Sequence, residues 1–527
     1  MTRPAGVARI SAAVGIAGAP RVPPRGILHA WVLGSALLAA CGGSVPPSLT
    51  PTAAGEVVSP TASAPSAAES ASIVGSPRSS AVSPPGAPSA AAPSSSGAPR
   101  TTRVSPSVAA STATDWPVYH RDALRTGYDP AFVAPRRSLT VAWSAALDGA
   151  VYAEPLVVAG NVIAATENDT VYALDPLDGA VRWQRHLGTP VPLSSLPCGN
   201  IDPLGITGTP AYDPGSGSLF LVAEVSGPRH VLFALDPLRG SVRWSRGVDL
   251  PGDDPRTHQQ RPALAVANGY VYIGFGGLAG DCGDYRGEVV GVLTSGQGAT
   301  LAYRVPTSRE GGIWATGGPV IDGAGHLYVS VGNGSSTTTY DGSDAVVELS
   351  PSLQLLSRFA PTTWAQDNAV DADLGSMSPV LVPGGWVFIA GKSGTGYTLR
   401  QGALGGVGGQ VASAPVCAGF GGAAQVGTTV FVPCSDGLRA VQIWTDGSIH
   451  AVWRTGSGAA GPPVVGGGAI WSLNLEAGDL VELEVGTGAA TARVAVGAVP
   501  HFASPTLWSG RAFVGTMHGV VAVAGSQ

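Results

Sequence analysis

From about residue 115 onward, short apolar runs alternate with Gly, Pro, Asp and Asn. That pattern predicts short strands joined by tight turns rather than long helices. One stretch repeats almost word for word. Tyr172-Ala-Leu-Asp175-Pro-Leu-Asp178-Gly179-Ala-Val-Arg-Trp183 returns as Phe233-Ala-Leu-Asp236-Pro-Leu-Arg239-Gly240-Ser-Val-Arg-Trp244. Each copy reads as a hairpin: an alternating strand, a turn opened by Asp-Pro, a Gly supplying positive φ, and a second strand whose Trp packs on a neighbouring unit. Ahead of each hairpin stands a proline followed by a short β run, at Pro155, Pro210, Pro262, Pro319, Pro379, Pro463 and Pro505. The wide gap between Pro379 and Pro463 leaves room for one more unit with a degenerate anchor, which Ala424-Gln425-Val426 and Val430-Phe431-Val432 fit. Eight units of about four strands, at a period of roughly 40–50 residues, are the pattern of a β-propeller. The last unit, Phe502 to Ala524, lacks its Trp-type strand, and Thr140-Val-Ala-Trp143 is such a strand without an anchor. The expectation is therefore an all-β, eight-bladed propeller of four-stranded antiparallel blades, closed by an N-terminal strand, which removes two sheet edges.

Composition narrows the function classes. Only 12% of the 527 residues are charged, the formal net charge is -6, and Lys392 is the single lysine. No basic cluster exists to grip nucleic acid, so no nucleic-acid partner is expected. Hydrophobic residues reach 44%, which raises the question of membrane spans. A spanning helix needs about 18 or more consecutive apolar residues. The longest uncharged stretch, Gln401 to Ser435, is broken by Gly pairs and Pro415 and reads as strands and turns.

The first 113 residues have a different character. Arg3, Arg9, Arg21 and Arg25 precede an apolar run from Ile27 to Ala40, the layout of a secretory signal over residues 1–40. Leu38-Ala39-Ala40-Cys41 resembles the lipobox of bacterial lipoproteins, in which the cysteine carries lipid and becomes the mature N-terminus. This places the protein at the cell membrane, lipid-anchored through Cys41 on the extracytoplasmic face. Residues 41–113 are rich in Pro, Ser and Ala and contain no aromatic residue, so they cannot bury a core and read as a disordered tether. A flexible chain of this length averages roughly 45–50 Å between its ends. The domain expected to fold is residues 114–527.

Four further cysteines remain, Cys198, Cys282, Cys417 and Cys434. An exported location permits disulfides. Of the three possible pairings, Cys198–Cys282 and Cys417–Cys434 are preferred. The second pair brackets two expected neighbouring strands, Ala414 to Ala418 and Val430 to Cys434. The spacings do not suit a structural metal site, and no metal is expected.

The hairpins, together with Asp115-Trp116-Pro117 and Arg125-Thr126-Gly127-Tyr128, resemble the PQQ-type, or quinoprotein-dehydrogenase-like, β-propeller family over about residues 115–527. That resemblance implies fold strongly and activity weakly, because function lies in loops. The family includes quinone-dependent alcohol dehydrogenases, outer-membrane assembly lipoproteins and exported propellers without a defined role. An enzyme of this kind would hold the quinone (PQQ) and calcium in the central channel with acidic and amide oxygens, and an Asp would act as base. Residues close to the anchors that could face such a channel are Glu154, Arg261, Trp314, Asp371, Asp373 and His501. Glu310 to Trp314 and Asp367 to Asp373 also carry oxygen donors, which serve equally as turn caps. The vicinal Cys-Cys of many quinoprotein alcohol dehydrogenases and the Cys-x-x-Cys-His of c-type haem are both missing. The expectation is a non-catalytic, cofactor-free binding or scaffold module for another envelope component, protein or glycan. The alternative is a PQQ- and calcium-dependent dehydrogenase of alcohols or sugars.

Overall fold

The repeat's residues set the geometry of each hairpin. Asp175 accepts the backbone N–H of Leu177 and pairs with Arg182 at 2.7 Å, and Asp236 does the same with Leu238 and Arg243 at 3.2 Å. The repeated Asp and Arg thus tie the turn to the strand that follows it. Gly179 and Gly240 adopt φ of 76° and 65°. A second reason for glycine is contact. A Cβ on Gly240 would lie 2.4 Å from the Trp183 ring, and one on Gly179 would lie 2.6 Å from Trp143. Trp244 sits on Gly296 and Trp453 on Gly488 in the same way. Three of these indoles also donate from Nε1 to a carbonyl of the receiving turn: Trp143 to Pro176, Trp183 to Pro237 and Trp453 to Val485.

This computed structural model describes residues 115–135, 138–456 and 458–526. The signal peptide, Cys41 and the tether fall outside the described residues. Eight antiparallel sheets of at least four strands follow one another in chain order. Blade 1 comprises Leu156–Val158, Asn161–Ala165, Thr170–Leu174 and Val181–His186, and blade 2 repeats the order over Ala211–Asp213, Ser218–Val225, Arg229–Leu235 and Val242–Gly247. The inner strands of blades 3 to 8 begin at Ala265, Val320, Val380, Ala424, Val464 and Pro505. In blade 8, Leu139–Ala146 pairs with Gly519–Gly525 in the register Leu139↔Gly525 to Ala146↔Gly519. The ring therefore closes through the N-terminal strand, with Trp143 in the sheet. Its Trp143 then seats on the first blade.

One expected strand shifts. The outer strand of blade 5 is Ala412–Pro415, not Ala414 to Ala418, so Cys417 lies in the connector that follows. The Cys417–Cys434 disulfide consequently joins that connector to the second strand of blade 6 rather than two adjacent strands. Cys198–Cys282 joins the blade 1–2 connector to an insertion in blade 3. Among the described residues no helix is long and apolar enough to cross a membrane.

The indole-on-glycine joint is testable within a single turn. Gly488→Ala places a Cβ 2.5 Å from Trp453 at a φ of 69°, whereas Gly486 has open space around it. Overpacking and left-handed backbone strain together predict a loss of about 2–4 kcal/mol for Gly488→Ala. Gly486→Ala is expected to leave the urea-unfolding free energy almost unchanged.

Candidate functional site

The inner strands of a propeller face its axis with one edge unpaired, and unpaired buried N–H and C=O groups are costly. Residues 116–128 satisfy many of them. Trp116 exchanges backbone hydrogen bonds with Val157 in blade 1, and Tyr212 in blade 2 donates to Pro117 O. The Arg125 guanidinium reaches Leu264 O, Ile321 donates to Ala123 O, and Gln425 donates to Thr126 O. Tyr128–Asp129 then runs parallel to the inner strand of blade 7. One segment thus ties blades 1, 2, 3, 4, 6 and 7 together at the axis and plugs that end of the channel.

Glu154 belongs to this plug. Its carboxylate accepts Trp116 Nε1 at 2.9 Å, the His120 N–H at 2.8 Å and the Thr506 hydroxyl at 3.3 Å. Burial raises its carboxyl to about 8 despite those bonds and the nearby Arg125. Burial also lowers His120 to about 3, so its ring is neutral, and it contacts Ser504 Oγ at 3.1 Å.

The opposite end is different. Connectors entering blades 1, 3, 4, 6 and 8 bring Tyr152, Arg261, Trp314, Phe420 and Phe502 into one cluster, which only the axis allows. Arg261 lies 5.3 Å from the Tyr152 ring and 5.2 Å from the Phe502 ring, and its Nη2 donates to His501 O at 3.0 Å. Phe502 packs 6.2 Å from both Trp314 and Phe420. The aromatic side chains are half-buried and His501 is exposed, so this mouth is open to solvent.

Lys392, in the turn between the second and third strands of blade 5, stands 5.2 Å over the Trp314 ring. It pairs with Asp371 at 2.5 Å and with the fully buried Asp373 at 2.9 Å. Asp373 is raised to about 6, chiefly by burial, with Lys392 opposing. Burial works against the lysine's charge, but the two carboxylates more than offset it and hold its pKa up. Asp373 also caps the short turn Leu374–Ser376 by accepting Gly375 N–H at 2.6 Å. Asp367 accepts the Thr363 hydroxyl, and Asn368 ties Gly334, Ser336 and Ser343. The oxygen-rich Asp367 to Asp373 stretch therefore builds its own loop.

Of the six residues singled out near the anchors, Arg261, Trp314, Asp371, Asp373 and His501 converge on the mouth, and Glu154 lies apart in the plug. Sequence reasoning missed Tyr152, Lys392, Phe420 and Phe502. Three of them stand three or four residues ahead of an inner strand, at Leu156, Ala424 and Pro505. That shared offset was the available signal; Lys392 has none. Strain accompanies the site: Phe502, Asp371 and Glu310 have φ of 65°, 55° and 70°. Non-glycine residues held there cost of order 1–3 kcal/mol each and persist where the surroundings enforce them.

Apart from residues 401–411 of blade 5, the long segments gather on this same face. They are the connectors over residues 187–210, 248–264 and 361–379 and the insertions over residues 278–287 and 332–344. Turns at the plug end, such as residues 159–160, 427–428 and 509–510, are minimal. Both disulfides pin loops of the mouth face.

Comparison with known proteins agrees with this architecture. Residues 137–321 match the family described as outer membrane protein assembly factor BamB. The fold is similar to a quinohemoprotein alcohol dehydrogenase from Pseudomonas putida, at 16% identity and a TM-score of 0.61, covering 78% of this chain and 81% of that one. BamB from Moraxella catarrhalis aligns at 18% identity and a TM-score of 0.51, over 73% of this chain and 99% of that one. A europium-containing methanol dehydrogenase aligns at 15% identity and a TM-score of 0.60, over 78% and 97%. No curated protein sequence matches the chain. By fold the chain is an eight-bladed β-propeller, similar in architecture to these quinoprotein enzymes and to BamB.

Several buried groups give the fold a pH signature. Burial raises Glu154 to about 8, Glu167 to about 7 and Asp169 to about 9, from ordinary values near 4. Burial alone would lower His230, but Glu224 and Asp249 raise it to about 10. The folded chain therefore binds more protons than the unfolded one between neutral pH and about pH 9, and its stability falls as pH rises through that window. Below pH 6.5 the neutral His120 opposes further gain. The urea midpoint is expected to be higher at pH 6.5 than at pH 9.

Proposed function

We propose that the chain is a lipid-anchored, exported propeller that binds another component of the cell envelope through its open mouth face. The observation that carries this reading is the asymmetry of the axis. One end is sealed by residues 116–128, while the other gathers half-exposed aromatic rings and the long connectors between blades. Recognition is commonly placed on loops held by a rigid scaffold, and exposed aromatic rings supply much of the binding energy at interfaces. Lipid on Cys41 and a tether over residues 41–113 would hold that face at a distance from the membrane. The likeness to BamB over residues 137–321 supports an envelope role.

The dehydrogenase reading draws on the likeness to the quinoprotein enzymes and on Trp314, a half-exposed indole with Lys392 over its ring. The carboxylates near the mouth fall into two groups. Ca²⁺ takes six to eight oxygen ligands, with carboxylates free to bind it. Asp371 and Asp373 are both held by Lys392 and Glu154 is bound into the plug, whereas Glu167, beside Arg261, keeps one buried oxygen without a protein partner. No step through a quinone is derived for this site.

Two experiments separate the readings. Cross-linking in intact cells followed by mass spectrometry is expected to recover an envelope partner with the wild-type chain, and Trp314→Ala or Phe502→Ala is expected to reduce that recovery at least fivefold. Equal recovery from the variants would overturn the mouth as the binding face. Reconstitution with PQQ and calcium is expected to give no dye reduction with alcohols or sugars, and quinone-dependent turnover would favour the enzyme. Palmitate labelling is expected for wild type and lost in Cys41→Ala.

A further inference from the structure

The two cations of the mouth are in opposite electrostatic states. Lys392 is neutralised by two carboxylates. Arg261 is 9% exposed, yet among the described residues it forms no ion pair. Its guanidinium has five N–H donors, and one of them is satisfied by a protein acceptor, His501 O. The faces of Tyr152 and Phe502 offset part of the desolvation of the charge but accept no in-plane hydrogen bond. The nearby carboxylate of Glu167 favours the charge without forming an ion pair with it, and most of the guanidinium's donors are left without a protein acceptor, for an incoming anion to take. A guanidinium fork matches the two oxygens of a carboxylate.

We infer that Arg261 binds the carboxylate of an acidic glycan, a sugar ring bearing a uronate group, whose body packs on Trp314, Phe420 and Phe502. This rests on the reading of the mouth as a recognition face and names its ligand class. The rings offer flat apolar faces on which the C–H face of a sugar can lie. Asp371, 60% exposed and paired with Lys392, offers further hydrogen-bonding capacity to hydroxyls. An extended peptide fits less well, because peptide capture by strand addition needs an unpaired sheet edge. The inner-strand edges of blades 1, 2, 4, 6 and 7 are already bonded to the segment that begins at Trp116. The strained Phe502, between Arg261 and Trp314, sets the ring face and the cation side by side.

The test is calorimetric titration of the full chain with trigalacturonate and with its methyl ester, which keeps the sugar rings and removes the charge. The acid is expected to bind, and the ester to bind at least tenfold more weakly. Arg261→Gln is expected to lose at least tenfold for the acid and little for the ester, with Arg261→Lys in between, while circular dichroism and melting temperature stay near wild type. The acid–ester comparison on wild type needs no variant, so it holds even where a substitution disturbs folding. No binding of the acid, equal binding of acid and ester, or tighter binding of a peptide with a free C-terminal carboxylate would overturn the inference. If Trp314→Ala still abolishes cross-linking in cells while trigalacturonate does not bind, the ligand class alone is wrong. If Trp314→Ala leaves cross-linking intact, the recognition face itself is wrong.

Discussion

A tryptophan ring resting on a glycine that has no Cβ holds one blade against the next at the Trp143–Gly179, Trp183–Gly240, Trp244–Gly296 and Trp453–Gly488 joints. The contact couples sequence and ring geometry directly. The turn must reverse with positive φ, which favours glycine, and that glycine leaves the flat surface on which the neighbouring indole settles. Where the indole Nε1 also finds a carbonyl in the turn, the joint satisfies the buried polar group of the ring. Because Trp143 comes from the N-terminal strand of blade 8 and docks on blade 1, the same interaction that joins neighbours also closes the circle.

Closure brings the inner edges to a common axis, and the two ends of that axis meet different needs. At one end, residues 116–128 supply the missing backbone partners, and Glu154 and neutral His120 help to anchor them. At the other end the connectors carry aromatic rings, a neutralised lysine and an arginine without an ion pair, on backbone that is strained at Phe502 and Asp371. On this contrast rests the proposal that one end serves structure and the other recognition. Each disulfide ties two segments of the mouth face together, so the loops are held without filling the mouth.

The fold was legible because its determinants are local. Asp175 and Asp236 cap their own turns, Gly179 and Gly240 reverse them, and anchor prolines mark seven of the inner strands, so counting units with the gap between Pro379 and Pro463 gave eight blades and exposed the unpaired Thr140–Trp143 strand. The site was legible only in part. Arg261, Trp314, Asp371, Asp373 and His501 stand close enough to the anchors to be candidates, but proximity alone could not separate Glu154, which the plug claims through Trp116 and His120. Phe420 and Phe502 acquire meaning only when connectors distant in the chain meet at the axis. Lys392 looked like the absence of a basic cluster until the ring placed it over Trp314. Register at the end of blade 5 was misjudged by two residues because the Gly-rich stretch before Ala412 gives alternation little to specify.

The central claim is that the mouth is covered by another molecule in the cell while the rest of the propeller is not. Hydroxyl-radical footprinting of the protein in intact cells and of the purified full chain tests it most directly, with Trp444, 51% exposed in a turn at the plug end, as internal control. The account predicts that oxidation of Trp314, Phe420 and Phe502 falls several-fold in cells while Trp444 is modified equally in both settings. Equal oxidation of the mouth residues in cells and in solution would contradict it.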